Sequence, residues 1–531
     1  MSELINNTRR QFLKTGALVA ASAPLAASAF ATAGAELQTR SGRVRGEKHN
    51  GLHIFKGIPY GGDTAQRRFQ PPVKEASWQG VRDATSYGAS APQGRDDSSS
   101  EDCLFLNCWT PGLNDGGKRP VLFYIHGGGY ANGSGSDPLY DGSSLCHQGD
   151  VVVITVNHRL NAFGYLYLAN LAGPAYAHSG NVGQLDLIAA LQWVQEHAEA
   201  LGGDPNNVTV FGQSGGGAKI ATMMAMPAAQ GLFHRAWTMS GQQVTAAGPR
   251  AATQRAQRFL DTLKPGASRK TQLSALLKAP IDEVLEATKA KDFSRIEDKS
   301  LHFCPVMDSG VLPRHPFWPD APAQSAAIPM VIGNTRDETR AFLAKDENFN
   351  LKWEDLPDKI RRQQYVDIEP RAVIDFYRQQ YPNYTPTQVF FAATTAGRSW
   401  RGAVEELEAR AAQGNNTWAY QLDWGSPLDG GKYGAFHTLD IPLVFNNIHQ
   451  PGSRTGDSES AQKMARTMSD ALLAFAKTGS PNGEGEPEWK PYGLDKRQTM
   501  VFDVPSHLEN DPRGAERAFY AQVPFMQRGT F

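Results

Sequence analysis

The sequence predicts an α/β protein built on a large, mostly parallel sheet with helices on both faces. Two continuous apolar runs, residues 121–125 and 151–156, are typical of central strands that are covered on both sides. A helix is expected from residue 183 to about 200, because apolar residues recur there at three-residue steps and form one packing face. Another apolar run, residues 208–211, then predicts a strand. This alternation of strand and helix is typical of parallel sheets.

The remaining elements are predicted from shorter patterns. Further strands are expected at 52–55, 104–109, 236–239, 328–332, 418–424 and 499–502. Residues 341–413 are expected to be largely helical and to form an insertion over the catalytic edge of the sheet. A last helix is expected at 461–477, with its apolar residues on one face.

The central feature of the sequence is residues 208–217, Val-Thr-Val-Phe-Gly-Gln-Ser-Gly-Gly-Gly. A bare Gly-x-Ser-x-Gly arises easily in a chain with 52 glycines, so the prediction depends on the flanking strand and helix. In that context Ser214 lies at the tip of a strained turn, and Gly212 and Gly216 let strand and helix approach closely. This pattern predicts a nucleophile elbow.

A serine hydroxyl needs a base, and the base needs an acid that fixes its tautomer. In elbow enzymes the chain order is serine, acid, histidine. His437, in a small-residue loop after a predicted strand, is the first candidate for the base, and His449 is the second. The acid is expected in the polar turn after strand 328–332, where residue chemistry alone does not separate Asp337 from Glu338.

Attack of a serine on a carbonyl group also needs N–H groups that stabilise the developing oxyanion. The strand at 121–125 runs into His126 and three glycines, which allow the backbone to turn its amides toward a substrate. We therefore expect oxyanion donors from Gly128, Gly129 and Gly215. His126 is interpreted as a structural residue of this loop.

The N-terminus predicts export. Residues 8–14, Thr-Arg-Arg-Gln-Phe-Leu-Lys, precede a mild apolar run at 15–29 and Ala-x-Ala cleavage options. This is typical of a twin-arginine signal over residues 1–33, and the run is too short and too rich in alanine for a membrane span. We expect a periplasmic or secreted bacterial protein with no stable membrane span after signal removal.

The composition of the chain restricts the class of binding partner. The chain of 531 residues carries 53 Lys and Arg against 54 Asp and Glu, so no net charge attracts nucleic acid. No linker divides residues 34–531, which favours a single large domain. The four cysteines show no metal-ligand spacing and are expected to be buried thiols rather than a disulfide framework.

The motifs together resemble the type B carboxylesterase family, which includes the cholinesterases and the para-nitrobenzyl esterases. The similarity covers nearly the whole mature chain in order. The matching segments are 41–46, 55–60, 101–107, 126–129, 180–183, 202–217, 231–235, 240–241 and 475–482.

The resemblance implies an α/β-hydrolase fold and a catalytic triad of Ser214, Glu338 and His437. It also implies that Ser240 lies behind the triad as a hydrogen-bonding group, and that Arg68 pairs with Glu101. The chain departs from the family pattern at Ala91, where the usual disulfide partner of Cys103 is missing, and at two positions beside the triad. Gln213 stands where glutamate is usual, and Thr438 follows the histidine where glycine is common.

The expected reaction is hydrolysis of small to medium uncharged carboxylic esters through an acyl-enzyme intermediate. The expected partners are the small-molecule ester and water, with no metal or cofactor. A lactonase or an amidase would use the same triad. A catalytically silent adhesion module of the same fold is the less favoured alternative, because all three triad residue types are present.

Overall fold

The computed structural model of the protein describes residues 34–94, 98–293, 300–414, 416–483 and 487–530. The predicted export signal, residues 1–33, lies outside these ranges. In the part of the chain that is described, no helix combines the length and the apolar character needed to cross a bilayer.

The strands of the described residues form a small three-stranded sheet and a central eleven-stranded sheet. In chain order they are β1 Glu36–Gln38, β2 Arg43–Arg45, β3 Glu47–His49, β4 Leu52–Pro59, β5 Val81–Asp83, β6 Phe105–Thr110, β7 Arg119–Ile125, β8 Val152–Val156, β9 Gly203–Gln213, β10 Arg235–Met239, β11 Met330–Thr335, β12 Thr417–Leu422, β13 Gln498–Phe502 and β14 His507–Asn510.

The central sheet has the order β14-β13-β12-β11-β10-β9-β7-β8-β6-β4-β3. From β8 to β13 all neighbouring strands run parallel. Antiparallel strands close both edges, with β14 on one side and β6, β4 and β3 on the other. The predicted large, mostly parallel sheet is therefore confirmed.

The helices connect these strands. They are α1 Ser143–Gly149, α2 Asn161–Tyr165, α3 Ala169–Ala172, α4 Val182–His197, α5 Gly215–Met223, α6 Pro249–Leu263, α7 Arg269–Leu276, α8 Ile281–Ala287, α9 Thr339–Phe342, α10 Leu356–Gln363, α11 Pro370–Gln380, α12 Pro386–Thr395, α13 Arg401–Gln413, α14 Asp440–Val444, α15 Glu459–Thr478 and α16 Gly514–Tyr520. Helices α9 to α13 occupy the segment that was predicted to be a helical insertion.

Strand β7 shows why the central runs are apolar throughout. Val121, Phe123 and Ile125 belong to the core that packs under α4 and α5, whereas Leu122 and Tyr124 belong to the core under α15. Since successive side chains of a strand point to opposite faces, burial on both faces requires apolar residues at every position. The two cores hold the central strands in place, and the loops at their carboxyl ends carry the candidate site.

The observed elements differ from the predicted ones mainly at their ends. Strand β9 begins at Gly203 rather than at 208, because Gly203 still pairs with Arg119 of β7. Strand β4 continues to Pro59 through an irregularity between Phe55 and Ile58. The four cysteines, all within the described residues, are buried and form no disulfide, as predicted.

Candidate active site

The turn between β9 and α5 has the geometry of an elbow. Ser214 adopts φ 56° and ψ −123°, a conformation that L-residues rarely adopt. A Cβ on Gly216 would lie 1.9 Å from the carbonyl oxygen of Ile125, and one on Gly212 would lie 2.8 Å from the backbone carbon of Gly216. Glycine is therefore required at both positions, and the predicted close approach of strand and helix is observed.

The acidic side chain that contacts the His437 imidazole is Glu338, which is fully buried at the start of α9. One carboxylate oxygen accepts hydrogen bonds from the Asn334 side chain and the Thr335 N–H, both at 3.0 Å. The other carboxylate oxygen is hydrogen-bonded to His437 Nδ1. Glu338 is thus oriented on one side by β11 and contacts the imidazole on the other.

Asp337, the alternative acid, has a different partner. Its backbone N–H donates to the Ala435 carbonyl at 2.9 Å, and its carboxylate accepts from the Ala435 N–H at 3.1 Å. Burial raises the pKa of Asp337, while the neighbouring Arg340 lowers it. Asp337 therefore holds the loop that carries His437 and makes no hydrogen bond to the imidazole.

His437 is buried and packs against the insertion. Its ring centroid lies 4.4 Å from that of Phe342, the last residue of α9. The residue after it, Thr438, has φ 81°, a left-handed conformation that glycine adopts more readily. His449, the alternative base, is exposed and lines a surface groove with Gln148 and Arg466.

The remaining imidazole nitrogen contacts the elbow through an unexpected residue. His437 Nε2 lies 3.1 Å from Gln213 Nε2, and among the described residues Ser214 and His437 share no hydrogen bond. Because Nδ1 faces the Glu338 carboxylate, Nε2 is the acceptor in this contact. The Gln213 carboxamide therefore donates to the lone pair of His437 Nε2, which the nitrogen would need to accept a proton from Ser214.

The glycine loop after β7 lies against the elbow. Gly128 and Gly129 have φ values of 87° and 62°, and a Cβ on Gly127 would lie 3.3 Å from Ser214 Cβ. In the described chain, the N–H groups of Gly128 and Gly129 have no hydrogen-bond partner. The Gly215 N–H opens α5, where the first amides of a helix lack intrahelical acceptors. Three unpaired donors thus lie close to Ser214.

The structure also shows the positions of two residues whose roles the resemblance implied. Arg68 Nε lies 3.0 and 2.8 Å from the two Glu101 oxygens, which confirms the expected ion pair. Ser240 follows β10 with φ 50° and is buried, but its hydroxyl has no partner within the described part of the chain. Its expected hydrogen-bonding role stays a prediction.

One residue of this region was not predicted from the sequence. Lys219 is fully buried on α5, and its ammonium contacts the glycine loop. The available signal was a lysine within a helix whose other residues are small or apolar, five positions after Ser214.

Known proteins resemble this chain over nearly its full length. The family model described as the carboxylesterase family matches residues 33–520. A para-nitrobenzyl esterase of Bacillus subtilis (strain 168) is 36% identical over 501 residues, which cover 90% of this chain and 97% of the relative. A phenmedipham hydrolase of Pseudarthrobacter oxydans is 32% identical, covering 87% and 94%. A solved Geobacillus stearothermophilus carboxylesterase has a TM-score of 0.80 and 39% identity, covering 91% of this chain and 99% of that one.

Proposed function

The chain belongs to the carboxylesterase family, and from that premise we propose that its nucleophile is Ser214, its general base His437 and its orienting acid Glu338. The relatives are named esterases at moderate identity over most of the chain, so the protein is a carboxylic ester hydrolase. The observation that supports the triad most strongly is the hydrogen bond from His437 to Glu338, beside an elbow that the same imidazole contacts.

The proposed reaction proceeds in two acyl transfers. The Gln213 carboxamide first moves away from His437 Nε2, which then accepts the Ser214 proton as the hydroxyl oxygen attacks the ester carbonyl. The tetrahedral intermediate collapses, and the imidazolium gives its proton to the leaving alcohol. Water repeats the sequence on the acyl-enzyme, which releases the acid and regenerates Ser214.

The proposed oxyanion hole consists of the N–H groups of Gly128, Gly129 and Gly215. Their support is that Gly128 and Gly129 are unpaired and that the loop packs directly on the elbow. Removing one such donor in a serine hydrolase costs about 3 kcal/mol of transition-state stabilisation. Glu338 stabilises the imidazolium that forms at the same moment.

We expect small to medium uncharged esters as substrates, since the chain's net charge of −1 provides no attraction for strongly charged molecules. Lactones and anilides remain the alternative substrate classes, because the same triad would cleave them. A panel of para-nitrophenyl acetate, butyrate and octanoate, a lactone and an anilide separates these classes. The esterase proposal predicts that the esters have the highest kcat/KM.

The catalytic test compares Ser214→Ala and His437→Ala with the wild type on the preferred ester. Both variants should lose activity by about four orders of magnitude or more, as triad deletions do. His449→Ala is the matched control and should retain wild-type activity, because His449 lies at the surface. Persistent activity in folded Ser214→Ala would exclude the proposed nucleophile.

We also propose that residues 1–33 direct export by the twin-arginine route to the periplasm or the medium. The support is the Arg9-Arg10 pair ahead of an alanine-rich apolar run. The Arg9→Lys, Arg10→Lys double variant should leave the precursor in the cytoplasm of a bacterial host, whereas the wild type should appear processed outside it. Equal export of both would contradict the proposal.

A further inference from the structure

Lys219 is a buried lysine with no acidic partner among the described residues. Its side chain is fully buried on α5, and it forms no ion pair among the described residues. Removing an unpaired charge from water is costly, so such a residue persists only where other contacts offset the cost. Lys219 follows Ser214 by five residues, on the helix that begins at Gly215. The unpaired charge therefore lies directly beside the elbow.

The contacts of Lys219 all lead to the glycine loop. Its Nζ donates to the Gly129 carbonyl at 2.9 Å and to the His126 carbonyl at 3.3 Å, and it lies 5.5 Å from the centre of the Tyr130 ring. The other two carbonyls of the loop have their own donors. His126 Nδ1 donates to Gly127 O, and the N–H groups of residues 131 and 132 donate to Gly128 O.

The loop therefore has every carbonyl oxygen from 126 to 129 hydrogen-bonded, while the N–H groups of Gly128 and Gly129 are unpaired. The Gly127 and Gly128 carbonyls share peptide planes with the Gly128 and Gly129 N–H groups, so their own donors set the directions of these two amides. Lys219 holds the peptide units on either side of them. We propose that Lys219 is the positioning residue of the oxyanion hole, because its ammonium holds the two ends of the glycine loop against the elbow helix. This inference rests on the proposed function.

The packing at Gly215 supports the same conclusion. A Cβ at this position would lie 2.1 Å from the Gly129 carbonyl oxygen, the atom that Lys219 holds at 2.9 Å. The loop is thus drawn onto the start of α5 so closely that only glycine fits there. Both the donor amide of Gly215 and the loop donors depend on this contact.

The neighbouring imidazoles do not replace the ammonium. Burial lowers the pKa of His126 to about 3 and lowers that of His158, which stacks on it, well below the ordinary value. Burial also raises the pKa of Tyr130, so at neutral pH these three groups are uncharged. Burial lowers the pKa of Lys219 to about 7, and a neutral amine keeps two N–H donors for the two carbonyls.

The test compares Lys219→Met with the wild type and with Met223→Ala, a control that removes another fully buried side chain from the same helix. We measure kcat/KM on the preferred ester and the inhibition constant of a trifluoromethyl ketone, whose adduct with Ser214 places an oxyanion in the hole. Displacing the loop should lower kcat/KM on the order of 100-fold and weaken the inhibitor in proportion. Met223→Ala should lower stability but leave the inhibition constant of the active fraction unchanged.

A Lys219→Met variant with wild-type inhibition would overturn the inference, even if less of it folds. Should Lys219→Met fail to fold, Lys219→Gln keeps a neutral donor on a shorter side chain that cannot reach both carbonyls. Its inhibition constant should then exceed that of the wild type at least tenfold on the same basis, and equality would overturn the inference. If the wild type itself cleaves no ester, the proposed function fails instead, and the two failures are thereby distinguished.

Discussion

Gln213 is the residue whose side chain competes directly with Ser214. Its carboxamide lies 3.1 Å from His437 Nε2, so the proposed reaction must begin with its displacement. The carboxamide is neutral and contributes no net charge to the imidazolium that forms during the reaction. A carboxylate at the same position would favour that imidazolium in the resting enzyme.

This contact predicts the effect of Gln213→Glu on pH dependence. A negative charge at hydrogen-bond distance from Nε2 should keep His437 protonated to higher pH, so the acid limb of the kcat/KM profile should move upward by about one pH unit. The profile is measured on the preferred ester between pH 5 and 9. Gln213→Leu adds no charge and should leave the limb in place, and an unmoved limb in Gln213→Glu would contradict the assigned contact.

At the residue scale, the sequence identified the candidate site but not its internal contacts. Ser214 and the glycine loop follow from the elbow and glycine motifs. Asp337 and Glu338 are adjacent and chemically alike, and only the turn into α9 decides which one meets His437. The contacts of Lys219 could not be predicted, because its partners are separated from it by about 90 residues along the chain.

At the element scale, α13 joins the insertion to the sheet. Its Glu406 accepts a hydrogen bond from the Gln243 N–H at 2.7 Å, and the Gln243 side chain accepts one from the Tyr130 hydroxyl at 2.7 Å. This chain of contacts runs from the insertion to the residue after the glycine loop. The other Glu406 oxygen has no partner within the described residues.

The buried Glu406 carboxyl should make the stability of the protein depend on pH. Burial raises its pKa to about 8, above the ordinary value of about 4.3, so the folded state binds more protons between these values. The stability that this carboxyl contributes is complete below about pH 4.3 and is lost as pH rises to about 8. The free energy of unfolding of Glu406→Gln should therefore rise relative to that of the wild type between pH 5 and 8, by at most about 1.4 kcal/mol per pH unit.

Thermal unfolding of both proteins from pH 5 to 9 checks this expectation. Glu408→Gln, on the same helix but less buried, is the control. A Tm difference between Glu406→Gln and the wild type that stays constant across the range would show that the Glu406 carboxyl is ionised in the folded state at neutral pH.

The elements that the sequence predicted are those with apolar residues at regular intervals. Strands β7 and β8 and helices α4 and α15 were predicted within a few residues. The edge strands were not, because they are short and largely exposed. Strand β3 has no buried residue, and β1 and β2 each bury one of three. Such strands carry no hydrophobic periodicity and depend on pairing with distant neighbours.

At the scale of the whole molecule, the described chain is held by two apolar layers and buried ion pairs. Arg159 and Asp186, both almost fully buried, are joined by hydrogen bonds of 2.8 and 2.6 Å between the loop after β8 and α4. None of the four cysteines, which all lie in the described part of the chain, forms a disulfide, so disulfides contribute nothing to this stability. The long, continuous cores allow a chain of this size to fold without them.

Because the cysteines form no disulfide, we expect the thermal stability of the protein to be insensitive to reducing agents. Burial raises the pKa of Cys103, Cys108 and Cys146, which makes their thiolates scarce as well as inaccessible. The Tm should be the same with and without dithiothreitol, and a thiol reagent should label four cysteines only after unfolding. A Tm that falls in reductant would reveal a disulfide.

The proposed triad of Ser214, His437 and Glu338 can be tested by covalent labelling of the enzyme with a fluorophosphonate, followed by mass spectrometry of its peptides. We expect one adduct, on Ser214, that forms rapidly in the wild type and in His449→Ala. Labelling should be slowed by orders of magnitude in His437→Ala and by a smaller factor in Glu338→Gln. An adduct on another residue, or equally fast labelling of Ser214 in folded His437→Ala, would contradict the proposed triad.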